Sequence, residues 1–219
     1  WAALARNIPV FVLYGDFGVL RFWRISGKGG VYDFQDRPGE QDKARLNDSQ
    51  RKCLEAVGES YLQRRLEGDT SDIGGTFAYT RRQATITRDQ ICQKFQWDPT
   101  KPIVGCYAAN WFDFPHTFGM SRFRDFYDWI VSSLEAMKGN TDVNWLFKAH
   151  PCDEWYGGAT LADMIDFDTC QHVKLASMTW NGRDMIDAID AFTTYHGSIG
   201  IEATAFGKPV LVPDRGWYD

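Results

Sequence analysis

Apolar residues fall in short dense runs over the first third of the chain and then settle into a regular alternation of strand-like runs and helix-spaced stripes. Ile8-Pro9-Val10-Phe11-Val12-Leu13-Tyr14 is nearly continuous, the pattern of a strand buried in a parallel sheet. Gly15 and Gly18 punctuate it, and residues 19–25 predict a second strand. Gly, Asp and Pro dominate residues 26–38, which predicts a loop. Residues 48–66 predict a helix with Leu54, Val57, Tyr61 and Leu62 along one face, followed by a loop over 68–75. Thr87-Arg88-Asp89-Gln90 reads as a capping box that opens a helix through Phe95, and Asp98-Pro99-Thr100-Lys101-Pro102 breaks it. Strands are then expected at 103–109, 143–148, 173–175, 191–195 and 209–212. Helices are expected at 121–138 (Phe123, Phe126, Tyr127, Ile130, Leu134 and Met137 inward), 161–165 and 183–189. Ser198 is expected to cap a last helix that Gly207 ends. Such alternation predicts an α/β fold, a mainly parallel sheet with helices on both faces. Ligands on such sheets bind at the carboxyl ends of the strands. The change of texture near Thr87 divides the chain into 1–86 and 87–219. A helical start at Trp1 and a stop just after a strand predict a piece of a longer protein, incomplete at its carboxyl end.

Charge and composition narrow the function. The net charge is −5. The basic pairs Arg64-Arg65 and Arg81-Arg82 are expected on solvated faces, which argues against a nucleic-acid partner. Nine Trp and 15% aromatic residues fit bulky packing first and stacking on bases or sugars second. Five scattered cysteines without a CxxC pair argue against a disulfide framework and a structural zinc, and for a reducing compartment. No apolar run approaches the roughly 20 residues of a membrane span, and no secretory pattern opens the chain. A cytoplasmic protein is expected, with a peripheral seat on the inner membrane compatible. Neither GxxxxGK[ST] nor GxGxxG occurs, which disfavours a P-loop or dinucleotide enzyme.

Three segments after strands carry chemistry. In Asn110-Trp111-Phe112-Asp113-Phe114-Pro115-His116, Asp113 and His116 could form an acid/base pair, or Asp113 could start a turn beneath aromatic packing. In Phe147-Lys148-Ala149-His150-Pro151, His150 at a strand end is placed to donate to a phosphate, and Lys148 adds charge. In Tyr195-His196-Gly197-Ser198-Ile199-Gly200-Ile201-Glu202, a strand turns through Gly-Ser into a helix. Free N–H groups at that helix start suit a phosphate, Gly197 and Gly200 admit a close ligand, and Glu202 could accept from a ribose diol. Asp187 and Asp190 are expected to be solvated along a helix. No Asp-x-Asp pair stands at a strand end, so no metal is expected.

The Phe-Lys-Ala-His-Pro and Ser-Ile-Gly-Ile-Glu-Ala…Gly-Lys-Pro-Val segments, with Gly216-Trp217-Tyr218, resemble capsule polysaccharide biosynthesis proteins. These are GT-B glycosyltransferases similar to the capsule Kdo transferases. The resemblance implies two Rossmann-like domains, with 1–86 the tail of the amino-terminal acceptor domain and 87–219 the donor domain. It implies that His150, with Pro151 and Lys148, meets the donor phosphate, and that His196, Gly197, Ser198 and Glu202 hold the nucleotide. The implied reaction moves a sugar from a nucleotide-sugar donor, a substrate rather than a cofactor, to a saccharide or lipid-linked acceptor. Asp113 or His116 is a candidate base. A sugar-nucleotide epimerase on the same fold and a non-catalytic nucleotide-binding fragment remain as alternatives.

Overall fold

Leu146 and Phe147 are neighbours in sequence and both are sealed from solvent, yet they belong to different hydrophobic cores. Side chains alternate across a strand, so this pair marks a sheet packed on both faces. The computed structural model describes residues 2–16, 19–26, 40–68, 84–110, 122–153 and 157–213. Its elements are β1 (Val10–Asp16), β2 (Val19–Ile25), α1 (Glu40–Arg45), α2 (Asp48–Leu66), α3 (Arg88–Phe95), β3 (Ile103–Tyr107), α4 (Phe126–Lys138), β4 (Asn144–Lys148), α5 (Leu161–Met164), β5 (Val173–Leu175), α6 (Gly182–Ala188), β6 (Ala191–Thr194), α7 (Ile199–Ala205) and β7 (Val210–Leu211). Two compact units, Trp1–Val57 and Gly58–Asp219, divide the chain inside α2. The segment opening at Thr87 therefore belongs to a unit that begins earlier. Leu66 and Ile86 pack against the same core as Ile91 and Ile103, and Ala84 bridges to Trp180.

In the first unit the run at 8–14 is not a buried parallel strand. β1 and β2 form an antiparallel hairpin in which Phe11 faces Arg24 and Leu13 faces Phe22. Phe11, Leu13 and Phe22 are exposed, and the Phe11 and Phe22 rings stack at 5.6 Å. The physical reason is the short connection: antiparallel strands accept a few linking residues, whereas a parallel crossover needs a dozen or more. Asn47 and Gln50 exchange backbone-to-side-chain hydrogen bonds of 2.9 Å at the start of α2, a capping box. Leu54 and Val57 of that helix are exposed, against expectation; Tyr61, Leu62 and Arg65 are the positions it covers.

The second unit is built on five parallel strands in the order β5-β4-β3-β6-β7. Cys106 and Phe147 pack beneath Phe126, Trp129, Ile130, Leu134 and Met137 of α4. On the opposite face Ile103, Leu146 and Phe192 meet α3, α6 and α7 through Ile91, Met185, Ile186, Ile199 and Ala203. This is a Rossmann-like α/β sheet covered on both faces. Helix α4 opens at Asp125, whose carboxylate accepts from the Asp128 amide at 2.8 Å. Phe126, Ile130, Leu134 and Met137 are buried as expected and Phe123 packs against the same core, whereas Tyr127 is exposed and Trp129 takes the buried place beside them. The capping box at Thr87 forms as expected, with bonds of 2.9 and 3.3 Å to Gln90. Asp190 is exposed as expected, but it lies past the end of α6 rather than on it. It accepts from the Ile103 amide at 2.8 Å and from Arg88 at 2.7 Å, tying the amino ends of β3 and β6 to α3. Burial alone would raise its carboxyl, and those two donors hold it below the usual range. No helix among the described residues is long and apolar enough to cross a membrane.

Candidate functional site at the carboxyl rim

From β3 the chain builds outward through β4 to β5, then returns to the other side of β3 with β6 and β7. The direction reverses between β3 and β6, a topological switch point where a crevice opens at the carboxyl ends. Register aligns Lys148 of β4 with Tyr107 of β3, and Tyr107 with Thr194 of β6. Strands lie about 4.8 Å apart, so the Lys148 and Thr194 backbones stand about 10 Å apart across this row. Because the strands are parallel, the loop carrying His150 and the turn carrying Ser198 leave the same rim.

Lys148 is half-buried at this rim. Burial pushes its ammonium down to about 8, and Nζ lies 5.9 Å from the Tyr107 ring centroid. Among the described residues no carboxylate forms an ion pair with it. His150 follows. Its Nδ1 accepts the Cys152 amide at 3.2 Å, which places the proton of a neutral ring on Nε2. Burial pushes the imidazole down to about 4, so near pH 7 the ring is a neutral Nε2–H donor. The sign on stability follows: neutral His150 favours the fold, in full above its ordinary 6.5, and the benefit declines as pH falls toward 4. Pro151 opens the turn, and the Asp153 amide closes it on the His150 carbonyl at 3.1 Å.

Across the row, the Thr194 hydroxyl donates to the Tyr107 carbonyl at 3.1 Å and accepts from the Gly197 amide at 3.3 Å. A Cβ at Gly197 would stand 2.7 Å from that hydroxyl oxygen. Gly197 is thus required by the turn itself, since any larger residue displaces the bridge between β3 and β6. Gly197→Ala should lose about 1–3 kcal/mol in urea unfolding. Gly182→Ala is the control, because a Cβ there meets nothing within 4 Å.

Several expectations for this turn change. Ser198 occupies the cap position of α7 but has helical backbone angles and makes no capping bond, so its hydroxyl is not spent on the helix. The Gly200 and Ile201 amides donate to Gly197 and Ser198 carbonyls at 3.0 Å, and the Glu202 amide to Ser198 at 3.1 Å. These first-turn amides are used by the turn rather than held open for a phosphate. The His196 ring sits edge-on to Tyr195 at 4.7 Å and to Phe126 at 6.3 Å, with both ring nitrogens buried. Its place is against the α4 core. Glu202 is buried and faces Arg65 of α2, 3.6 Å away and equally buried. Arg65 is therefore not on a solvated face. Its position was legible, since it lies four residues after Tyr61 and three after Leu62 on the covered stripe. Burial and then the Glu202 charge push the Tyr107 hydroxyl far above the phenol range. Asp113, His116 and the Gly216-Trp217-Tyr218 segment lie outside the described residues.

No protein-family model matches the chain, and no curated protein matches it. The chain is similar in structure to Thermosulfurimonas dismutans KpsC, beta Kdo 2,4 transferase, at 17% sequence identity and a TM-score of 0.47, over 74% of this chain and 46% of that chain. It spans less than half the length of that protein. A separate cavity of about 570 Å³ lies at the edge strand β5, lined by Phe95, Asp163, Asp166, Phe167, Lys174 and Leu175 among others. It includes none of the rim residues.

Proposed function

We propose that the parallel-sheet unit binds the nucleotide-sugar donor of a GT-B glycosyltransferase that works in capsule or surface polysaccharide synthesis. The observation that carries this reading is the pair formed by Lys148 and His150 at the switch point: an ammonium without a carboxylate partner among the described residues, next to a neutral imidazole whose Nδ1 is taken by the Cys152 amide, which leaves Nε2–H as its donor. A cation taken out of water without a counter-ion is costly, and an anionic ligand removes that cost. The sequence likeness of the two rim segments to capsule transferases supports the choice of a donor phosphate as that anion.

In this reading the acceptor hydroxyl attacks the anomeric carbon of the donor. The bond from that carbon to the phosphate oxygen breaks, and the electron pair leaves with the phosphate. Lys148 and the His150 Nε2–H meet the charge as it grows there. The hydroxyl proton passes to a base, for which Asp113 and His116 are candidates. Ser198 and Glu202 would hold the nucleoside end, and since Glu202 Oε1 faces Arg65, a ribose contact would come through Oε2. The acceptor would be a saccharide or lipid-linked saccharide met at the cytoplasmic face of the membrane.

The test is a thermal-shift panel of CMP, CDP, UDP, GDP and their sugar conjugates, followed by donor consumption with and without saccharide acceptors. One base should raise the midpoint, and His150→Ala should weaken that nucleotide about tenfold or more, the scale of a charge-assisted hydrogen bond. Equal binding by the parent and His150→Ala removes the reading. Epimerisation of free donor with no acceptor present would assign the site to the rival enzyme class.

A further inference from the structure

Thr194 ends β6, a strand with a neighbour on each side, and it is wholly sealed from solvent. Valine would fill the same place without burying a hydroxyl, so the oxygen has to find partners there. Its two bonds reach opposite sides of the switch point. The hydroxyl donates at 3.1 Å to the carbonyl of Tyr107, the last residue of β3, and accepts at 3.3 Å from the Gly197 amide in the turn before Ser198. The paired register of β3 with β6 stops at Tyr107 and Thr194. On the other side β3 stays tied to β4 one residue further, where the Ala108 amide donates to the Lys148 carbonyl at 2.9 Å. Tyr107 is pinned by its ring as well, 5.5 Å from the Phe192 ring and 5.9 Å from Lys148 Nζ. The wall that carries Lys148 and His150 is thus joined to the turn that carries Ser198 through the Thr194 oxygen.

We infer that Thr194 is a positioning residue of the rim: its hydroxyl fixes the separation of the Lys148–His150 wall from the Ser198 turn, so that a ligand reaching across the crevice meets both at once. This rests on the nucleotide reading of the Lys148–His150 site and adds the group that keeps its two halves in register. A ligand that bridges two anchors binds more tightly when their spacing is set beforehand, because less freedom is lost on binding. A ligand small enough to sit on one anchor gains nothing from the tie. Removing the hydroxyl should therefore weaken a nucleotide selectively and spare a bare phosphate.

The experiment is a calorimetric titration of the full chain with CMP, CDP, UDP and GDP, and with inorganic pyrophosphate. Thr194→Val should bind the nucleotide that the parent prefers about five- to tenfold more weakly, the scale of a lost hydrogen bond, with pyrophosphate held within about twofold. Thr194→Ser keeps the donor and acceptor and should return nucleotide affinity to within about twofold of the parent. If Thr194→Val does not fold, Thr194→Ala, which leaves room at the Gly197 amide, is read in its place. Ile130→Val, a cavity change in the buried core under α4, lowers stability away from the rim and should leave both affinities as in the parent. Equal nucleotide affinity in Thr194→Val and the parent overturns the inference and leaves the phosphate grip standing. A parallel loss of pyrophosphate, a failure of Thr194→Ser to rescue, or the same loss in Ile130→Val assigns the hydroxyl to general support of the fold and also overturns it. If neither nucleotides nor pyrophosphate bind the parent, the nucleotide reading falls and the role of Thr194 falls with it.

Discussion

Arg65→Met should lower the stability of the parallel-sheet unit by about 3–5 kcal/mol, the range for a buried ion pair that loses one partner. For a chain of this size that is a drop in the thermal midpoint of about 10 °C. The side chains of Arg65 and Glu202 are 11% and 12% exposed, so water does little to screen the carboxylate once the guanidinium is gone. At 3.6 Å the pair is held by charge more than by a short hydrogen bond, and the attraction recovers only part of what desolvation costs. The double variant Arg65→Met/Glu202→Leu should therefore regain most of the loss, because an apolar pair of similar volume removes both buried charges together. Urea unfolding of the two single variants and the double variant yields the coupling energy directly. A loss below about 1 kcal/mol for Arg65→Met would place the pair with exposed salt bridges and would mean that Glu202 is held by something else.

The order of elements from Thr87 onward was legible because the strands are short apolar runs set between helical stripes, and four of the five helices open on a side-chain cap at Thr87, Asp125, Thr160 or Asn181. Thr87 and Gln90 form a capping box from local residues alone. The same locality explains the misreading at Val10–Asp16. Its composition matches a buried parallel strand, and the decisive clue was the short gap before Val19, which only an antiparallel partner tolerates. At the rim, His150 and Gly197 were legible because strand-end position and small-residue turns are local features. The covered position of Arg65 follows from local spacing, but its pairing with Glu202 does not, since that partner lies far along the chain. Asp190 is the surface acid its sequence suggests, and only with β3 laid beside β6 does the Ile103 amide reach it. Ser198 shows the converse. Its neighbourhood spells a helix cap, but the turn takes helical angles before the helix begins and leaves its hydroxyl uncommitted.

Lys148→Met should cut turnover of the donor by about 10²–10³-fold, the loss expected when a charge aimed at a leaving group is removed from a low-dielectric site, with donor affinity falling as well. The pH dependence separates this role from simple packing. In the free protein the ammonium is pushed down to about 8 by burial, and a bound phosphate raises it again, so the anion binds the protonated form. Affinity should be level from about pH 6.5 to 7.5 and fall as pH rises through 8, by up to tenfold per pH unit. Stability of the unliganded fold moves the opposite way. The unfolded chain keeps its lysine proton up to about 10.4, so between pH 8 and that value the unfolded state binds more protons, and the Lys148 contribution grows as pH rises. Donor affinity and unliganded stability should thus diverge above pH 8 in the parent. In Lys148→Met both trends should flatten relative to the parent, with His150→Ala retaining the alkaline fall in affinity because it leaves the ammonium in place. Calorimetric titration and urea unfolding at pH 7, 8, 9 and 10 measure the two quantities on the same samples. If affinity stays level to pH 10 in the parent, Lys148 does not face the phosphate, and the site at the switch point must draw its positive charge from elsewhere.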